Sequence, residues 1–233
     1  MIKTMRMRFA VDQRGKITSG EKGTSSGGKE IPKSLDHFNV SKFPELAEAY
    51  GDKPKDLILF FPSDNIADFF DDEYNTYSSA NTKIRSCDGE TCIHRIQEEI
   101  NGATYAAGEA TPCVCHTMNP DDKKRCKYVA YLRAWVGIPQ PSGTPRIESH
   151  LCYMFMTRSH NSGDSIKSGL KKIELLNHGI LRGIPFKLSV HMAAGKTNAK
   201  EKFPIWSLEA IGTVSEIQRR GQAMIDAQRK QLS

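Results

Sequence analysis

Residues 127–138, KYVAYLRAWVGI, and 146–157, RIESHLCYMFMT, read as two long strands, with Pro139, Pro141 and Pro145 between them. Proline cannot donate to a strand ladder, so the stretch between the two runs is a connection. Toward the C-terminus, Asp164 or Ser165 caps a helix that ends near Asn177, with Ile166, Leu170, Ile173 and Leu176 on one face. Gly179 suits its end. Residues 185–193 and 203–211 read as a strand pair joined by GKTNAKEK, and a last helix runs from about Ser215 to Lys230.

Toward the N-terminus the signals are shorter. IKTMRMRF at 2–9 alternates and reads as a strand, whereas residues 14–34, rich in Gly, Ser and Lys, read as a mobile basic loop. LDHFNV at 35–40 resembles a strand; Ser41 and Pro44 open a helix through Tyr50, with Gly51 as its stop. DLILFF at 56–61 reads as a buried strand closed by Pro62. Asp64 then caps a helix carrying Ile66, Phe69, Phe70 and Tyr74. Residues 82–86 and 91–97 flank the turn Asp88-Gly89 as two short strands, and Glu98 to Lys124 shows little periodicity.

This order predicts an α+β protein: a mainly antiparallel sheet, two or three internal helices and a C-terminal helix. The division expected is a basic strand and flexible loop over 1–34, a core over 35–213 with a cysteine-rich insert at about 85–127, and a helix over 214–233.

Five of the six cysteines, Cys87, Cys92, Cys113, Cys115 and Cys126, fall within forty residues. Cys113-Val-Cys115 sets two thiols on one short turn that Pro112 restricts, ten residues separate Cys115 from Cys126, and twenty-five separate Cys87 from Cys113. Thiolates suit the tetrahedral preference of zinc. The set expected to hold a structural zinc is Cys87, Cys113, Cys115 and Cys126, with Cys92, His94 and His116 in reserve. Such a site is closed and braces the fold instead of catalysing. The plain alternative is a group of buried free thiols. Cys152, between Leu151 and Tyr153, reads as core.

Composition narrows the compartment and the partners. At 233 residues, with 38% hydrophobic and 26% charged residues, the chain can bury a core without disulfides. The N-terminus lacks a signal peptide pattern, and no window approaches the run of about 20 apolar residues that a membrane span requires. A reducing cytoplasm is therefore expected, which favours metal over disulfides. The net charge of +6 is compatible with contact to DNA or to an acidic protein surface. Residues 1–35 hold eight Lys/Arg against three Asp/Glu, and residues 43–76 hold nine Asp/Glu against two Lys.

Enzyme motifs are near misses. Gly23 to Lys29 approaches a phosphate-binding loop, but Glu30 stands where Ser or Thr is needed, and Pro32 follows. Gly195-Lys196-Thr197 lacks the leading glycine, since position 190 is Val190. Asp64, Asp68, Asp71, Asp72 and Glu73 read as a solvated acidic face in preference to a two-metal site. No catalytic residues and no small-molecule substrate are expected. Tyr128, Tyr131, Arg133 and Trp135 have the mixture of single-strand binders; the reading favoured is that Tyr and Trp line the core, with Arg133 at an edge. Along the final helix, Val214, Ile217, Gly221, Met224, Ile225, Gln228 and Leu232 trace a stripe that suits a partner groove or the protein's own domain.

LDHFNV, AYGDKP, LILFFPS, IRSCDG, PCVC and the later Cys126 occur in an order that resembles the phage recombination directionality factor-like family, as do GIPFKLSV and FPIWSLEAI further on. The similarity runs from about residue 30 to 213. It implies a non-catalytic protein in the cytoplasm of a bacterial host, which binds a large serine integrase on DNA and redirects it from integration to excision. It also implies metal binding at Cys87, Cys113, Cys115 and Cys126, with Cys92 extra. The competing reading is a phage-type single-stranded DNA-binding protein with a structural zinc.

Overall fold

The computed structural model describes residues 13–232 apart from 25, 26, 29, 79, 81, 101, 119–124, 144, 148 and 195–201. The strand expected at 2–9 and Gly195 to Thr197 lie outside the described residues. The fold is α+β, with a mixed, mainly antiparallel sheet and four α-helices among the described residues.

The organising element is β10, Lys127–Ile138. Its alternation buries Leu132, Ala134 and Val136 on one face, as expected of a half-buried strand. Its first half pairs antiparallel with β4 (Phe70–Tyr77) on one side and β12 (Cys152–Thr157) on the other. Its second half pairs with β3 (Asp56–Phe60) and with the short β11 (Arg146–Ile147). The second run of the opening pair is thus broken into β11 and β12. Beyond β3 the sheet continues through β13 (Phe186–Ala194) to β14 (Lys202–Ala210). Beyond β4 it continues through β5 (Lys83–Cys87) and β6 (Thr91–His94) to β9 (Ala110–Pro112). The remaining strands, β7 (Glu98–Ile100) and β8 (Ala103–Tyr105), pair with each other and, among the described residues, with no other strand.

Residues 14–34, expected as a loop, form most of an antiparallel hairpin of β1 (Gln13–Thr24) and β2 (Glu30–Asn39). The pattern was hidden because the outer half of the hairpin, Gly20–Thr24 against Glu30–Ser34, is largely exposed and needs no apolar alternation. Near its base Ile17 is fully buried, and β1 pairs parallel with β12 there. Among the described residues that is the one parallel junction; the other strand pairs are antiparallel.

The helix expected after Asp64 is one turn, α2 (Ile66–Phe69), capped by Asn65, whose side chain accepts from the Ala67 N–H. Phe70 to Tyr77 is strand, because pairing with β10 satisfies its backbone and sets Tyr74 opposite Tyr128. The residues from Glu98 onward, read as aperiodic, hold three short strands.

Of the other helices, α1 (Pro44–Tyr50) ends at Gly51 as expected. The next, α3 (His160–Leu176), starts four residues earlier than Asp164 because Ser159 caps it, its hydroxyl accepting from the Ser162 N–H. Ile166, Leu170 and Ile173 face a core that includes Phe38, Phe155 and Trp206. The last, α4 (Val214–Leu232), docks through Ile217 and Gly221, the buried members of its stripe. Ile217 and Gly221 therefore pack on their own domain, whereas Val214 at the start of the stripe is exposed.

Candidate metal centre

The β5–β6 hairpin turns at Asp88-Gly89, as the sequence predicts. The Asp88 carboxylate accepts from the Glu90 N–H at 3.0 Å and the Thr91 N–H at 2.7 Å, and Gly89 sits at φ 104°. Register sets Cys87 directly opposite Cys92, on one face of the hairpin. The chain returns beside it as β9, and the Cys113 N–H donates to the Glu90 carbonyl at 2.7 Å. Cys115 lies in the 3-10 turn Val114–Thr117. Cys126 sits at the entry to β10, where Lys127 pairs with Asn75 of β4.

All five clustered cysteines therefore meet. Cys87 and Cys92 belong to a small apolar cluster with Ile100, Val114 and Met118, against which Cys113 and Cys126 pack. The thiols associate as two pairs, Cys87 with Cys113 and Cys115 with Cys126. Three sulfurs accept hydrogen bonds: Cys87 from the Gly89 N–H at 3.2 Å, Cys115 from the Cys126 N–H at 3.3 Å, and Cys126 from the Thr76 hydroxyl at 3.3 Å.

Charge is costly here without a cation. Burial, then the neighbouring Cys113 and Cys115, push the Cys87 thiol up to about 12. Burial and the same neighbourhood raise Cys92 to about 12. In the second pair Cys115 keeps the proton it shares with Cys126 and is pushed up, whereas Cys126, accepting that hydrogen bond, is held below the ordinary thiol range. Arg85, fully buried, adds a positive field that favours the thiolates of Cys92, Cys115 and Cys126.

Among the described residues, no group of three or more His, Cys, Asp or Glu side chains is placed to hold a metal ion. The donors themselves are of the soft kind zinc prefers: four thiols in two pairs, with the Cys87 and Cys115 sulfurs already accepting from backbone N–H groups. His94, one of the reserve ligands, has both ring nitrogens engaged in hydrogen bonds. Its Nδ1 meets Glu98 at 2.6 Å, its Nε2 meets the Thr111 hydroxyl at 3.0 Å, and its ring stacks on Tyr105. The His116 side chain lies outside the described residues. Cys152 is fully buried in the core sheet, and burial pushes its thiol up to about 11.

The sequence reading missed a buried polar group beneath the cluster. Arg85 stands opposite His94 and lies 3.4 Å from Glu98. The signal was parity, since Arg85 and Cys87 alternate on one strand and share a face.

The acidic run serves structure. Asp64 accepts from the backbone N–H groups of Leu181 and Arg182 and from the Arg182 guanidinium. Asp68 bonds Ser63 and Asn65, Asp72 pairs with Lys167, and Glu73 pairs with Lys83. Tyr128 lines the core as expected, whereas Tyr131 and Trp135 lie with Arg133 on the half-buried outer face opposite Leu132 and Ala134.

The geometry is that of a compact sheet carrying a cysteine-rich module at one edge. A sequence model of the Gp3-like family, described as recombination directionality factor-like, matches residues 14–211. No curated protein and no solved structure matches the chain. Among the described residues, no helix is long and apolar enough to cross a membrane. The family match spans the sheet from β1 to β14, and the chain belongs to the recombination directionality factor-like family.

Proposed function

We propose that this protein binds a large serine integrase on its DNA and shifts it from integration to excision of the prophage. The observation that carries this reading is the family match across residues 14–211, which takes in the sheet, α3 and the cysteine module together. A regulator changes the direction of its target only by binding one arrangement better than another. A body whose module is tied to the central strand through β4 and β5 suits that task, because its surfaces keep a fixed relation to one another.

The same reading assigns a structural zinc to Cys87, Cys113, Cys115 and Cys126, with Cys92 in reserve. Held by four thiolates, the ion would brace the module and leave no open coordination position for a reactant. The support is the pairing of the thiols and the N–H groups aimed at Cys87 and Cys115.

The test is a recombination assay with the cognate integrase on attachment-site DNA, with and without the protein. Excision that rises while integration falls is the expected result. Unchanged direction at saturating protein, with no binding to the integrase, overturns the proposal.

A further inference from the structure

We infer that a basic trough crossing β1, β12 and the start of β10 binds the phosphodiester backbone of a nucleic acid strand. The inference rests on the sheet surface and does not need the integrase reading.

Two adjoining hollows make the trough. The first, about 370 Å³, is lined by Lys16 of β1, Arg158 just past β12, Arg125 and Lys127 at the entry to β10, and the rings of Tyr77 and Tyr131. Four cations face it and its lining holds no carboxylate. The second, about 860 Å³, shares Lys16, Met156 and Arg158 with the first and adds Lys33 and Lys42. Its lining carboxylate, Glu21, is paired with Lys33 at 3.1 Å.

Clustering sets these cations apart. Elsewhere the protein matches many basic groups with carboxylates: Arg14 with Glu45, Lys83 with Glu73, Arg182 with Asp64. Among the described residues Lys16, Lys42, Arg125, Lys127 and Arg158 have no such partner. Glu73, close to Tyr131, is already held by Lys83 at 2.7 Å. Like charges drawn together without counter-charges repel one another, and a bound polyanion relieves that repulsion.

The ligand class follows from shape and from the tyrosines. The cations line a concave track, and arginine forks match phosphate oxygens. Tyr77 is 40% exposed and hydrogen-bonds the Tyr131 hydroxyl, setting aromatic surface beside the cations where unpaired bases can stack. An acidic protein surface would use the charge but not the stacking edge.

Fluorescence anisotropy of the full chain against labelled oligo(dT) and against a duplex of equal length tests this. Affinity should fall steeply between about 50 and 200 mM salt. K16A, K127A and R158A should each weaken binding several-fold and lower the salt slope by about 0.7 on the single strand or 0.9 on the duplex. K187A, exposed on β13 and outside the trough, should leave it unchanged. Y77A separates the two forms: loss on oligo(dT) alone shows bases stacked in the trough, whereas equal duplex binding indifferent to Tyr77 shows backbone contact only, and either supports the site. Absence of salt-dependent binding to both forms overturns the inference. So does binding that the three trough variants leave intact, or a loss confined to integrase affinity, which would mark an acidic protein face as the occupant.

Discussion

The Tyr128 hydroxyl of β10 occupies the space that a side chain at Gly163 of α3 would need: a Cβ there would lie 1.7 Å from the oxygen. The helix comes this close to the sheet twice, because a Cβ at Gly169 would lie 2.3 Å from the Leu208 carbonyl oxygen. Close approach at both points lets Ile166 and Leu170 reach full burial.

Gly163→Ala should therefore destabilise the protein by roughly 1–3 kcal/mol, since a well-packed contact does not admit an extra methyl. Tyr128→Phe removes the nearest atom, although the ring carbon behind it would still lie 2.7 Å from the new methyl. The alanine should thus cost less in the Phe background, a coupling that a double-mutant cycle of thermal or denaturant unfolding measures. Equal costs in both backgrounds would show that Tyr128 does not set the approach of α3.

The cysteine module predicts a metal-dependent stability. Purified protein should contain about one zinc per chain, on the four-ligand logic, and a strong chelator should lower the unfolding midpoint. Cys87→Ser and Cys126→Ser should each reduce the bound metal, whereas Cys92→Ser should retain it. Fully folded, metal-free protein with an unchanged midpoint would leave the thiols as buried free cysteines.

Much of this was legible in the sequence, for physical reasons that differ by element. β10 was legible because its inward positions, Leu132, Ala134 and Val136, alternate with half-buried ones. The meeting of the cysteines was legible because turn chemistry at Asp88-Gly89 and the tight Cys113–Cys115 spacing are local signals. Tyr74 was misplaced in a helix because its strand identity comes from pairing with Tyr128, a contact across the sheet. The β1–β2 hairpin was missed because an exposed ribbon carries little apolar pattern. The trough was illegible altogether: Lys16, Lys127 and Arg158 come from three separate segments that become neighbours only through the parallel pairing of β1 with β12 and the antiparallel pairing of β12 with β10.

Asp64 predicts an acid-sensitive contribution. Burial pushes its carboxyl up, but the N–H groups of Arg182 and Leu181 and the Arg182 guanidinium outweigh it and hold the carboxyl below the usual range. A depressed carboxyl stabilises the fold above the unfolded value, about 3.9, and that contribution is lost as pH falls through the folded value. Asp64→Asn should lower the midpoint at neutral pH by about 2–4 °C, corresponding to about 1 kcal/mol for a chain of this size. The gap from the unsubstituted protein should narrow progressively as the pH falls below about 3.9. A gap that is constant with pH would assign the effect to packing.

The C-terminal helix is held at one narrow place, and this predicts a local failure instead of a global one. A Cβ at Gly221 would lie 2.0 Å from the Oδ1 of Asn177, a fully buried residue whose Nδ2 donates to the Ile180 carbonyl at 2.7 Å. Asn177 cannot retreat without breaking that bond, so the helix must move. In the main core α4 is represented by Ile217, while Trp206, Leu170 and Phe186 are packed by other elements. Gly221→Leu should therefore release α4 while the sheet and α3 stay folded. Limited proteolysis read by mass spectrometry should show early cleavage within 214–232 in the variant, leaving a resistant fragment that retains the family-matched residues 14–211. Opening of subglobal units at less than the global cost is the expected behaviour of an element with so few buried contacts. Cleavage spread evenly along the variant chain would instead make α4 part of the cooperative core.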